Sequence, residues 1–145
     1  MEEYVNKRNM FRVILPLNLC GEITISRVNG KKIDSGRSYI CIMDISATGI
    51  KFKSNLNFPL ENVIYKVSFS LYGINYDIES MLAWKRDNDS NSYFYGVEFR
   101  QTKDETEELV KIMTKLIIDI KNSKDGTYVT CKKKCLKLKK NGVVA

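Results

Sequence analysis

The 145-residue chain contains no histidine. Without an imidazole there is no side chain of matched pKa to activate a serine or cysteine, and no histidine ligand for a metal. Carboxylates or lysines could still catalyse, but no motif gathers them, so the protein is expected not to be an enzyme. Proline is scarce, with Pro16 and Pro59 alone, and no window reaches the roughly 18 consecutive apolar residues that span a bilayer. The start, MEEY, is acidic where a secretory signal is basic and then apolar. A cytoplasmic location is expected. The four cysteines, in a chain without an export signal, read as reduced thiols and not as a disulfide framework. Cys131 and Cys135 are the one close pair. A zinc site would need two more soft ligands, and Cys20 and Cys41 are expected on distant strands, poorly placed to give them. Neither a metal nor a cofactor is expected.

What the chain does have is apolar content and positive charge. At 43% hydrophobic it fits one domain with a core. The net charge of +7 attracts an anionic partner: nucleic acid, a nucleotide, an acidic protein or a phospholipid surface. Sign alone does not choose among them.

From Val63 to Leu71, VIYKVSFSL keeps Val63, Tyr65, Val67, Phe69 and Leu71 in one phase, the period of a half-buried strand. After a turn at Gly73, INYDIESMLAW resumes with Ile74, Tyr76, Ile78, Leu82 and Trp84 in phase, and Ser80 breaks that pattern. SYFYGVEF places Tyr93, Tyr95, Val97 and Phe99 inward, and LCGEITI places Leu19, Ile23 and Ile25 inward. Asn29-Gly30 signals a hairpin turn. With SYICIMDI and GIKF the count reaches about six or seven strands. So many short antiparallel strands predict a small closed β-barrel, since closure removes exposed edges. After Lys103 the period becomes helical: Leu109, Ile112, Met113, Leu116, Ile117 and Ile120 form one stripe. Asp104, Glu105, Glu107 and Glu108 gather at its amino end, where the helix dipole favours negative charge. The fold class expected is all-β with a C-terminal helix lying across the barrel. Residues 13–122 form this unit, and 123–145 a basic tail, read as solvated or as a contact surface for an acidic partner or membrane.

Two short motifs carry chemistry. KRNMFR places Arg8 and Arg12 four residues apart just before the first strand, and DISATG, from Asp44 to Gly49, is a turn between two strands at one rim of the barrel. Together they offer two cations, a carboxylate, a hydroxyl and a glycine. Each has a plainer reading. Spaced arginines commonly decorate a solvated face, Asp44 and Ser46 can cap a turn, and Gly49 can serve a positive φ.

RNMFR matches the RxxxR signature and DISATG the DxSxxG signature of bacterial PilZ domains, and the chain resembles that family from about Lys7 to Lys121, YGVEF being similar to its last barrel strand. The resemblance implies a six- to seven-stranded antiparallel PilZ-type barrel that binds cyclic di-GMP without chemistry. It implies that Arg8 and Arg12, on a flexible arm of residues 1–12, clamp guanine and phosphate. Asp44 would accept from the guanine amino edge or hold an arginine, Ser46 would bond polar ligand edges, and Gly49 would let the backbone turn tightly. Lys7 could add a phosphate contact. An arginine fork can donate two parallel bonds to guanine O6 and N7 or to phosphate oxygens, which lysine cannot. Ordering of the arm by ligand would then change the surface offered to a downstream protein effector. The insertion-like SRVNGKKIDSGRSY could extend a hairpin, and the absence of a second domain suggests a stand-alone receptor. Alternatives are a PilZ-like adaptor that binds no nucleotide and a single-stranded nucleic-acid binder. The latter is disfavoured because it needs aromatics on the outer strand surface, whereas Tyr65, Phe69, Tyr76, Tyr95 and Phe99 share the core phase.

Overall fold

A computed structural model describes residues 12–88 and 91–122. Arg8 and Lys7, the rest of the expected arm through residue 11, and the basic tail with Cys131 and Cys135 lie outside the described residues. The strands are β1 (Val13–Val28), β2 (Lys31–Lys32), β3 (Ser38–Ile45), β4 (Gly49–Ser54), β5 (Val63–Leu71), β6 (Ile74–Asp87) and β7 (Tyr93–Phe99), followed by α1 (Lys103–Lys121). The sheet order is β2-β1-β3-β4-β7-β6-β5, every pairing is antiparallel, and β1 also pairs with β5. That last seam closes six strands into a barrel and leaves β2 as an extra strand on the β1 hairpin, as the sequence pattern predicts.

Alternation builds the wall. In β5 the five apolar residues at odd positions are all buried, while Lys66 between them is exposed. The hairpin turns at Asn29-Gly30 and Tyr72-Gly73 each have two consecutive positive φ values (50° and 82°, 52° and 80°), the type I′ geometry that matches strand twist. The inserted stretch extends the β1 hairpin through Arg27↔Lys32 and Val28↔Lys31. Inside, Phe52 stacks on Tyr95 at 4.9 Å between ring centroids, and Phe58 packs edge-on against Tyr95 and Tyr65. The Tyr95 hydroxyl accepts from the Phe58 amide (2.8 Å) and donates to the Leu56 carbonyl (2.7 Å), and Tyr65 donates to the Pro59 carbonyl, so these two phenols tie the 55–62 loop to the core. Burial pushes the ionisation of both phenols well up from its ordinary value.

The helix begins at Thr102, whose hydroxyl accepts from the Glu105 amide while the Glu105 carboxylate accepts from the Thr102 amide. Leu109, Met113 and Leu116 are buried in the barrel core, Ile112, Ile117 and Ile120 pack around them, and the Tyr72 hydroxyl donates to Asp119 at 2.7 Å. Among the described residues no helix is long and apolar enough to cross a membrane.

The strand pairings shift register at four places, one between Ile25 and Arg27 on the β1–β5 seam and the following three elsewhere. Between Ile14 and Leu19 the β1–β3 register shifts, with Leu15, Pro16, Leu17 and Asn18 standing against Met43 alone, an irregularity of the kind that tolerates proline. One extra residue sits in β3 between Ile42 and Asp44, and one in β6 between Leu82 and Trp84.

Two sequence expectations are corrected here. Trp84 does not continue the inward phase of Leu82: the bulge at Ala83 turns it to the outer surface, where it is 39% exposed. Ile74, at the start of the same strand, is exposed as well. Cys20 and Cys41 are not on distant strands, since they face each other directly across β1 and β3, and neither is the reduced thiol expected of it. The missing signal was register, which sequence spacing does not give.

Candidate ligand site

The bulges determine what the outer face presents. In β3, Ile40 and Ile42 point inward, and strict alternation would send Asp44 after them. The extra residue at Met43 reverses the phase, so Ile45 returns to the core and Asp44 faces out. The bulge at Ala83 does the same for Trp84. Register then lines up one rung across five strands: Ile14 opposite Asp44, Asp44 opposite Lys51, Lys51 opposite Gly96, and Gly96 opposite Trp84.

Arg12, immediately before β1, reaches back over this rung. Its Nη1 donates to Asp44 Oδ1 at 2.6 Å, with the arginine half-exposed and the carboxylate mostly covered. Among the sequence-predicted residues, the structure thus brings Arg12, Asp44, Ser46 and Gly49 to one concavity of about 420 Å³, which Lys51, Trp84 and Glu98 also line.

Ser46 and Gly49 shape the concavity from below. Ser46 is almost fully buried, its amide donates to the Gly49 carbonyl (2.8 Å), and its hydroxyl accepts from the Thr48 amide (3.2 Å). That is the turn-capping role for which serine is favoured. Gly49 is required for a reason other than the tight turn expected of it, and its φ is not positive. A Cβ there would lie 2.0 Å from the Val97 carbonyl oxygen, so glycine lets β4 press against β7. Gly96 is needed in turn because the Trp84 indole occupies the space over it, 1.9 Å from where a Cβ would sit.

Sequence reasoning missed Trp84 and Lys51. Lys51 was legible as an outward residue of GIKF, but only register puts it beside Asp44. The face beyond is basic and aromatic: the Arg86 guanidinium lies 5.7 Å from the Trp84 ring and 5.4 Å from that of Phe94, and the Lys51 ammonium 5.2 Å from Phe94. Chemically, the concavity combines a forked donor, a carboxylate acceptor and a half-exposed indole. That set suits a planar ring bearing hydrogen-bonding edges and anionic groups.

The sequence matches the family model described as PilZ domain over residues 6–115. Among solved structures, that of YcgR in complex with c-di-GMP from Escherichia coli superimposes with a TM-score of 0.60 at 17% identity, covering 83% of this chain and 50% of that chain. The PilZ domain of YcgR with c-di-GMP, from the same organism, gives 0.55 at 14% identity, covering 83% of this chain and 99% of that one. The complex of K. pneumonia MrkH with c-di-GMP gives 0.59 at 18% identity, covering 82% and 55%. The chain therefore spans about half the length of YcgR and MrkH, and at these identities the likeness is one of fold. No curated protein sequence matches the chain.

Proposed function

The chain belongs to the PilZ family, and from that premise we propose that it is a receptor for cyclic di-GMP that performs no reaction on it. The observation that carries this reading is the Arg12–Asp44 pair at the mouth of a concavity whose wall is a half-exposed tryptophan. In this reading Arg12 and Arg8 donate in parallel to guanine O6 and N7 or to phosphate oxygens, and Asp44 accepts from the guanine amino edge or keeps Arg12 aimed. The indole of Trp84 stacks on a purine, Lys51 balances phosphate charge, and Ser46 and Gly49 hold the Asp44–Gly49 turn in shape. Lys7 adds a phosphate contact. Engagement of Arg8 and Arg12 fixes residues 1–12 over the concavity, and a protein partner reads the altered surface. The ligand drives that change only by its preference for the closed arrangement.

Calorimetric titration with cyclic di-GMP tests this. Saturable heat together with a rise in Tm supports the receptor. Neither heat nor stabilisation at concentrations far above micromolar would favour the adaptor reading, to which one observation lends weight: Asp44 and Ser46 already have partners within the protein.

A further inference from the structure

We propose that the outer face of β4, β7 and β6, running on from the concavity, is a binding track for single-stranded nucleic acid. The track stands without the function proposed above; only the competition described last rests on that reading.

Such a track needs rings open to solvent on which bases stack, set among cations that follow the phosphate backbone. Tyr65, Tyr95, Phe69 and Phe99 cannot serve, since all four are buried. The outer face has rings of its own, because the bulge at Ala83 turns the end of β6 so that Trp84 and Arg86 are exposed together. Register then sets two rungs side by side. Lys51, Gly96 and Trp84 form one, and Lys53, Phe94 and Arg86 the next.

The rings are placed for stacking. Three atoms of the Trp84 indole lie within 2.6 Å of where a Gly96 Cβ would stand, so the ring rests on bare backbone and turns its other side to solvent. Successive outward positions of a strand are roughly 7 Å apart, so Trp84 and the half-buried Phe94 offer steps for two successive bases of an extended strand.

The cations are interleaved with these rings. The Arg86 guanidinium lies 5.7 Å from the Trp84 ring and 5.4 Å from that of Phe94, and the ammonium groups of Lys51 and Lys53 lie 5.2 Å and 4.9 Å from Phe94. A guanidinium so placed can stack on a base or hold a phosphate. The nearby carboxylates do not interrupt this strip: Asp44 is paired with Arg12, Glu98 stands one rung beyond Trp84 on the far side, and Asp87 falls in the opposite phase to Arg86. Residues 123–145 add seven lysines against one aspartate, most of the chain's net charge of +7. That charge draws a polyanion, and the open rings favour one that carries bases over an acidic protein or a phospholipid surface.

The test uses the full chain and fluorescein-labelled oligothymidylate and oligouridylate of about 20 nucleotides, longer than one barrel's expected site, with anisotropy read over a range of salt. Saturable binding is expected, its affinity falling with salt by a log–log slope of about −0.7 for each phosphate contact. The tighter of the two names the polymer as DNA or RNA. No binding at low salt would overturn the track. Heparin and a duplex of the same length should displace the probe about tenfold less well than unlabelled single strand, and equal displacement would overturn it, leaving charge alone. Trp84→Ala and Phe94→Leu should each weaken oligonucleotide binding about tenfold, and Arg86→Ala should flatten the salt slope by about 0.7. Trp84 is exposed, so its replacement decides the matter even where Phe94→Leu does not fold: an unchanged affinity would overturn the track. Because both ligands would use Trp84 and Lys51, saturating cyclic di-GMP should release the oligonucleotide, and simultaneous binding of the two would overturn the competition. A chain that binds the oligonucleotide and not the dinucleotide supports the track and defeats the receptor; the reverse defeats the track alone.

Discussion

Arg12 Nη1 donates to Asp44 Oδ1 at 2.6 Å across thirty-two residues of sequence, joining the approach to the first barrel strand to the turn that leaves the third. A half-exposed ion pair of this kind contributes only about 0–1 kcal/mol to stability. In the receptor proposed above, its value lies in holding a guanidinium ready.

Arg12→Ala is accordingly expected to leave the barrel intact by circular dichroism while weakening cyclic di-GMP binding by about 2 kcal/mol, roughly thirtyfold. Arg12→Lys should recover little, because an ammonium cannot make the paired contact. An unaltered Kd in Arg12→Ala would remove this residue from the site.

Trp84 is the chain's one tryptophan, so its emission reports the concavity alone. Titration with cyclic di-GMP should quench or shift that emission with the same Kd as calorimetry. Trp84→Ala should cost about 1–3 kcal/mol of binding, the scale of one lost base–aromatic stack. Saturable heat with a silent indole would place the ligand elsewhere.

Gly49→Ala addresses the closeness of β4 and β7. The added methyl would stand 2.0 Å from the Val97 carbonyl oxygen, which is backbone and cannot swing away. A loss of about 2–3 kcal/mol in denaturant unfolding is expected, as for an overpacked site. An unchanged unfolding midpoint would show that the two strands separate more easily than their packing implies.

The buried phenols set the response to alkali. The ionisation of Tyr65 and Tyr95 is raised above the ordinary value of 10.0, chiefly by burial, so between that value and their folded values the unfolded chain binds fewer protons than the native one. Stability is therefore retained below pH 10 and falls as pH rises above it. Denaturation midpoints between pH 8 and pH 11.5 check the sign, and tyrosinate absorbance should grow in two stages, the second coinciding with unfolding. A single early stage with the fold intact would mean that these hydroxyls reach water.

The barrel was legible because each strand facing both core and solvent must alternate, and Val63–Leu71 does so without exception. The helix showed through its stripe and its acidic first turn, to which the structure adds the Thr102–Glu105 capping pair. Arg12, Asp44, Ser46 and Gly49 could be picked out by their spacing, and they do converge. The rest required knowing where the period fails. One inserted residue at Ala83 moved Trp84 from the expected core to the surface, and another at Met43 put Asp44 outside where strict alternation would have buried it. Pairing across β1 and β3, which sets Cys20 opposite Cys41, is likewise a matter of register between segments distant in sequence. Hydrophobic pattern records which residues prefer the interior, but bulges and register decide which residues meet.

The double pairing of β1 also governs the order in which the barrel can be assembled. The other five strands form a ribbon in which most neighbours are linked by short connections, whereas β1 must be flanked by β3 on one edge and β5 on the other, joining residues 21–28 to 63–69. Closing that long loop costs chain entropy before any contact repays it. On a ribosome, β1 therefore keeps its second edge bare until β5 has been synthesised, and β4 keeps its own bare until β7 follows.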